Sequence, residues 1–296
     1  PRLDAYVSMR CRLSGGSGKQ ICGEQVTIEA GGPLVETAAT AVAPLLVPDV
    51  PVFLWWKDIP HYEDKLFDQL ARMADRIVID SAAFDHPYDD LLRLTRDVGN
   101  HDRPIRVSDL NWGRLTSWRT LLASFWDVAD YRPLLDQIDR VAVAYHPLSD
   151  APGEVAAAAL LLAGWLAARL GWEVGEGGRA TTGAIECDLT SGDRVLVLSL
   201  RQDKTSKQHD GLISSVALSA KSEADFSVAL RDEGSKLETK AKIGTEHSLG
   251  RVLAYERRSD ADRLSRELAF LSRDAIYEQA IGRAAQLVEA IRGQKT

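Results

Sequence analysis

Four pairs of polar residues follow short apolar runs and could bind or transform a small molecule. They are Lys57 and Asp58, Asp80 and Ser81, Asp109 and Asn111, and Tyr145 and His146. In open α/β sheets, ligands gather at the carboxyl ends of strands, and such crevices are the usual binding places. Lys57, Asp80, Ser81, Asp109, Asn111 and His146 are therefore candidate pocket residues for a sugar phosphate or a nucleotide. The same residue types have a plainer use, because Asp, Ser and Asn at a strand end cap the helix that follows. Both readings stand at the level of sequence.

A second feature is the run from Ser108 to Arg119, which places Trp112, Arg114, Trp118 and Arg119 between a strand and a helix. Trp and Arg are enriched at interface hot spots. Trp118 continues an apolar stripe through Leu121, Leu122, Phe125 and Trp126, so the spacing assigns it to the core. Trp112 and Arg114 lie outside that stripe and are equally open to a partner-binding or a structural role. Arg119, with Trp55 and Trp56 at the end of another apolar run, completes the candidate partner surface.

Cys11 and Cys22 have a geometric relation. Pairing Leu13 with Gln20 across a hairpin loop puts the two cysteines directly opposite each other on one face. A redox-sensitive bridge is then within reach if the Cα separation permits it. The plainer reading is that each is a small apolar residue.

Other apparent motifs fail on context. Gly15-Gly16-Ser17-Gly18-Lys19 lacks both the earlier glycine and the Ser or Thr after lysine of a phosphate loop. A strand rather than a helix follows it, so no helix N-terminus would meet the phosphate. Gly175–Ala180 fits the loose dinucleotide fingerprint, yet residues 181–189 do not read as the required helix. There is no nucleophile elbow and no His-Glu-x-x-His. The six histidines are scattered, and the three cysteines lack zinc-site spacing. No catalytic residue, metal or cofactor is expected.

These residues need elements to position them. Alternation over Ala5–Leu13 and Cys22–Ala30 predicts a hairpin with one buried face. A helix is expected over Leu34–Leu46, and a strand covered on both faces over Val50–Trp56. Helical stripes follow at Leu66–Met73, Tyr88–Thr95 and Trp118–Trp126. They alternate with strands at Ile77–Ile79, Ile105–Val107 and Val141–Tyr145. That alternation predicts a mostly parallel α/β sheet domain over residues 1–150. Pro147, Pro152 and Gly153 mark a boundary at 146–153. Residues 151–296 read as an α+β domain with a long apolar helix (Glu154–Leu170). Strands follow at 195–200, 212–220, 225–231 and 237–243, the later ones in an antiparallel meander, and the terminal helices carry stripes at Leu264–Leu271 and Ile276–Ile291.

The 296 residues suit two domains. With 45% hydrophobic and 27% charged residues, the chain is an ordinary globular one. A net charge of −7 argues against nucleic acid as a partner. The most apolar stretch, Val155–Leu170, contains Gly164 and Arg169 and falls short of the about 20 residues a bilayer requires, so no membrane association is expected. Three cysteines suit a reducing compartment, and a cytoplasmic location is expected. The chain opens at Pro1, without Met, directly before a strand-like run, so a preceding segment is expected.

Several segments taken together are recognisable: Cys22–Val26, Leu45–Trp56, Ala74–Ser81, Asp109–Arg119 and Leu161–Leu166. Through them the chain resembles the OpcA family of glucose-6-phosphate dehydrogenase assembly proteins. The proline-flanked Trp-Trp strand and the Asp-x-x-Trp-x-Arg-x-Thr-x-Trp-Arg run carry most of the likeness, which fades in the strand meander. The resemblance implies a non-catalytic partner of glucose-6-phosphate dehydrogenase, associated with its oligomerisation and activation at the entry to the oxidative pentose phosphate pathway. It also implies further residues before Pro1. In some members the effect is tied to thiol redox state, which makes thioredoxin a second expected partner. The resemblance assigns no redox role to Cys11 or Cys22. The competing expectation is the sugar-phosphate or nucleotide binder, possibly an enzyme, that would use the strand-end polar residues.

Overall fold

The computed structural model describes residues 1–13, 20–61, 63–98, 106–205, 211–221, 223–248, 250–255, 259–269 and 272–293. The chain begins with strands β1 (Arg2–Leu13) and β2 (Gln20–Gly31), helix α1 (Ala38–Val42), strand β3 (Phe53–Trp55) and helix α2 (Lys65–Ala71). Then come β4 (Arg76–Ile79), α3 (Pro87–Val98), β5 (Val107–Asp109), α4 (Leu110–Arg114), α5 (Thr116–Ser124) and α6 (Arg132–Leu135). The rest comprises β6 (Ile138–Tyr145), α7 (Ala157–Leu170), β7 (Glu173–Thr181), β8 (Ala184–Ser191), β9 (Arg194–Gln202) and β10 (Ile213–Ala220). It ends with β11 (Ala224–Arg231), β12 (Lys236–Ile243), β13 (Glu246–Ser248), β14 (Val252–Ala254), α8 (Asp260–Leu268) and α9 (Ala275–Arg292). The class is mixed α/β, as expected.

Two compact units form, Pro1–Leu54 with Pro60–Arg76, and Trp55–Ile59 with Ile77–Thr296. In the first, β1 and β2 make an antiparallel ribbon in which Leu13 faces Gln20 and Cys11 faces Cys22. The expected buried face of this hairpin is exposed, with Val7 75% and Met9 62% accessible. The expected helix over Leu34–Leu46 is broken into a 3-10 turn (Gly32–Thr37), α1 and a second 3-10 turn (Ala43–Leu45), because Pro33 and Pro44 have no amide hydrogen to donate. The expected strand over Val50–Trp56 shrinks to β3 and is half-buried rather than covered on both faces. Asp49 sits at φ 64, and Pro51 gives the ladder no donor. Asp64 caps α2 by accepting from the Leu66 and Phe67 amides, and Phe67 and Ala39 are buried.

In the second unit, β4 and β5 pair in parallel with Ile79 beside Asp109. The Trp56 amide donates to the Val78 carbonyl at 2.9 Å. The expected strand at 105–107 begins at Val107 instead, and residue 105 lies outside the described residues. The large sheet has the order β13-β12-β11-β10-β6-β9-β8-β7, with β14 on β12. The meander of β10, β11 and β12 is antiparallel, as expected. Strand β6 is parallel to β9 and antiparallel to β10, so strands before and after the 146–153 segment lie in one sheet. Strands β7 and β8 were not foreseen, and the Gly175–Ala180 fingerprint lies within β7.

Helix α7 is apolar all round, and Ala157–Gly164 are buried. It ends at Gly171, whose φ of 65° suits a residue without a Cβ. At Gly164 it meets α9 so closely that a Cβ would stand 2.3 Å from the Ala280 carbonyl oxygen. Phe125, Trp126 and Tyr131 pack around Phe226 of β11. Among the described residues, no helix is long and apolar enough to cross a membrane.

Candidate functional site

The parallel register of β4 and β5 places Asp80 and Ser81 next to Asp109. Asp109 is 1% exposed. One carboxylate oxygen accepts from the Ser81 amide at 3.0 Å and the Asn111 amide at 2.9 Å. The other accepts from the Ser81 hydroxyl at 2.7 Å and the Tyr277 hydroxyl at 3.4 Å. The Asn111 side-chain amide donates to the Ser81 hydroxyl at 3.0 Å. Burial pushes the Asp109 carboxyl up to about 6, with the Asp80 charge adding to it, against the bonds from Ser81 and Asn111. Burial also holds the Tyr277 hydroxyl well above its ordinary value, and Asp109 reinforces the shift.

Asp80 and Asp109 are also caps. Asp80 accepts from the Ala82 amide and Asp109 from the Asn111 amide, so the plainer sequence reading holds for both. Arg114 closes the outer side by bonding both Asp80 oxygens at 2.5 and 2.6 Å and Asp260 of α8 at 3.2 Å. Paired planar geometry of this kind gives strong, directional bonds.

Trp112 is 5% exposed, which corrects the expectation of an exposed Trp/Arg patch. Its indole N–H donates to Asp274 at 3.0 Å, and Asp274 also caps α9 through the Ile276 and Tyr277 amides. The Arg119 guanidinium lies 3.4 Å from the centre of the Trp112 ring. It donates to the Trp112 carbonyl and the Thr116 hydroxyl, and burial pushes it down to about 10. An anchor must be reachable by the partner, and Trp112, Arg114 and Arg119 are held in internal contacts. Trp118 is 2% exposed and belongs to the core, as its spacing indicated.

The remaining candidates fall elsewhere. Lys57 stands 4.4 Å above the half-buried Trp55 ring. The Trp56 indole donates to the Ile59 carbonyl at 3.2 Å. His146 is buried, with Nδ1 3.1 Å from the Asp203 carbonyl oxygen. The structure thus brings together Asp80, Ser81, Asp109, Asn111 and Arg114. Their partners Asp260 and Tyr277 come from helices more than a hundred residues downstream and leave no local signal in the sequence.

Beside this cluster, Asn111, Arg114, Trp118, Ile213 and Tyr255 border a cavity of about 10 Å³. That is room for one water, whereas small-molecule sites run to roughly 300–1,000 Å³. A second cavity of about 120 Å³ is bordered by Phe84, Asp85, Leu148 and Asp150.

On the hairpin, Cys11 and Cys22 form a disulfide, with Cα atoms 4.0 Å apart. Cys187 is buried, and burial pushes its thiol up to about 11. By the chain-entropy argument, closing a loop of this length stabilises by about 3 kcal/mol. Reduction is expected to speed amide exchange over β1 and β2 and to leave β4–β6 unchanged. Identical exchange with and without reductant would show that the bridge contributes nothing.

A family model described as the glucose-6-phosphate dehydrogenase subunit N-terminal domain matches residues 1–96. One described as the C-terminal domain matches residues 105–281. The chain is 36% identical over 172 residues to a protein of Nostoc punctiforme named OpcA, after the OxPP cycle, with 58% of this chain and 35% of that protein covered. A Synechocystis protein of the same name is 34% identical over 152 residues, covering 51% of this chain and 30% of its own length. The matched segment is thus about a third of these relatives' length. Among solved structures, a dehydrogenase (MviM) from Clostridium difficile aligns with TM-score 0.46 at 10% identity over 86% of this chain and 80% of that one. An inositol dehydrogenase homologue from Azotobacter vinelandii aligns with TM-score 0.40 at 11% identity over 87% and 70%. The two family matches cover most of the chain, and it belongs to the OpcA family of glucose-6-phosphate dehydrogenase subunit domains.

Proposed function

We propose that this chain is a non-catalytic assembly factor and allosteric activator of glucose-6-phosphate dehydrogenase in the oxidative pentose phosphate pathway. The observation that carries this reading is the pair of consecutive matches to dehydrogenase subunit domains over residues 1–96 and 105–281. The geometry is in keeping with it, because Ser81, Asp109 and Asn111 bond to one another, and the cavity beside them has only about 10 Å³. An activator must bind the active oligomer more tightly than the inactive form. A coupling of about 1–3 kcal/mol shifts that equilibrium roughly 5- to 150-fold. Of the residues considered as anchors, Trp55 and Trp56 are half-buried rather than enclosed and are proposed as part of the contact. Thiol exchange at the hairpin is proposed as a control, in which a thioredoxin dithiol opens Cys11–Cys22 to two thiols and itself becomes a disulfide.

Mixed with the dehydrogenase, the chain is expected to co-elute on size exclusion and to lower the apparent KM or raise kcat. The absence of both co-elution and any kinetic change would sink the proposal. The sugar-phosphate alternative predicts a thermal shift with glucose 6-phosphate or NADP of about 2.7 kcal/mol at a hundredfold excess over Kd. We expect no such shift.

A further inference from the structure

We propose that the β1–β2 ribbon is a docking arm whose apolar face seats on the dehydrogenase, an inference that rests on the reading above. Residues directly opposite across an antiparallel pair share a face. Here Leu3 faces Ala30, Ala5 faces Ile28, Val7 faces Val26, Met9 faces Glu24 and Cys11 faces Cys22, so Glu24 is the one charged residue on this face. The other face carries Asp4 opposite Glu29, Tyr6 opposite Thr27 and Ser8 opposite Gln25. Apart from Glu24 on this face and Tyr6 on the other, the alternation is that of a ribbon with one covered face. The chain leaves that face open, with Val7 75%, Met9 62%, Leu3 45% and Val26 40% accessible. A contiguous apolar strip rimmed by polar residues marks an interaction site.

The size of the strip narrows its occupant. Nine residues at about 3.4 Å and two strands at about 4.8 Å give a face of roughly 300 Å². Two copies face to face would bury about 600 Å², which lies in the range of crystal-packing contacts and below the roughly 1,200 Å² of a stable interface. The ribbon is therefore a share of a larger contact, made with a partner whose further surface meets the rest of the chain. That partner must offer an apolar strip of about 30 Å to match. The Cys11–Cys22 bridge fits an arm. A lone two-stranded hairpin is marginal in water, and holding it formed in advance removes an ordering cost from binding.

The test compares the full chain with Val7→Asp/Met9→Asp and with Ser8→Asp on the opposite face, each titrated against the dehydrogenase. The double variant is expected to bind about tenfold or more weakly, with Ser8→Asp binding like the parent and all three melting together. Parental affinity in the double variant, while the parent binds, overturns the arm and leaves the proposed function standing. No binding by the parent overturns the function and the arm with it. A marked fall in the double variant's melting temperature means the strip packs inside the chain, and also overturns the proposal. A parent that elutes as a dimer, broken by the double variant, makes a second copy the occupant and overturns it as well.

Discussion

Asp109→Ala is expected to abolish cooperative folding of the second unit or to lower its melting temperature by more than about 10 °C. The carboxylate satisfies two amides and two hydroxyls in the interior. Each buried polar group left unpaired costs about 1–3 kcal/mol, so removing their common acceptor costs about 4 kcal/mol or more. Total stabilities are only about 5–15 kcal/mol, and in a unit of this size about 2–4 °C accompany each kcal/mol. Asp109→Asn, of the same shape, separates charge from hydrogen bonding. The folded carboxyl is raised from 3.8 to about 6, so the folded state takes up its proton more readily than the unfolded one. Its contribution is greatest below about pH 4, declines as pH rises to about 6 and stays low above that, a change of about 3 kcal/mol. Urea unfolding across this window is expected to show that decline in the parent and a flatter profile in Asp109→Asn. Equal slopes would remove Asp109 as its source.

Gly164→Ala is expected to cost about 2–3 kcal/mol although alanine is the better helix former. The new Cβ would stand 2.3 Å from the Ala280 carbonyl oxygen and 2.8 Å from the Ala284 nitrogen. Both are backbone atoms, so α7 and α9 must separate, and overpacking of that kind costs about 1–3 kcal/mol or more. Gly282, also in α9, has nothing within 4 Å of its would-be Cβ. Gly282→Ala is therefore expected to stabilise by about 0.5–1 kcal/mol. Thermal melts of the two variants should move in opposite directions, and a shared direction would refute the close-approach argument.

The features legible in the sequence were local ones. Alternation marked both strands of the hairpin, and the supposed pairing of Leu13 with Gln20 is the register found in the structure. Apolar stripes located α2, α3, α5, α7 and α9, because a helix repeats its buried face every turn. Asp80 and Asp109 could be read as caps because capping involves residues two or three apart. Features set by distant partners were not legible. The role of Trp112 stayed open because Asp274 and Tyr277, which contact it, lie far along the chain. β7 and β8 carry glycines, charges and small residues, and only Ile185, Cys187 and Leu189 hint at alternation. Pro147, Pro152 and Gly153 suggested a domain boundary at 146–153, but such residues do not reveal which strands pair across a break, and β6 before it pairs with β9 and β10 after it.

The central place of β6 has a consequence for the order of events during synthesis. Its neighbours β9 and β10 are not complete until Gln202 and Ala220 have been added. At about 5–20 residues per second, the nascent strand waits several seconds with Ile138, Val141, Val143 and Tyr145 exposed to water. Contacts this distant in sequence also slow folding, because loop closure precedes any gain from pairing. The ribosome-bound chain thus presents a strand with four buried-to-be apolar residues before it has a sheet to join, the kind of exposed intermediate that chaperones shield.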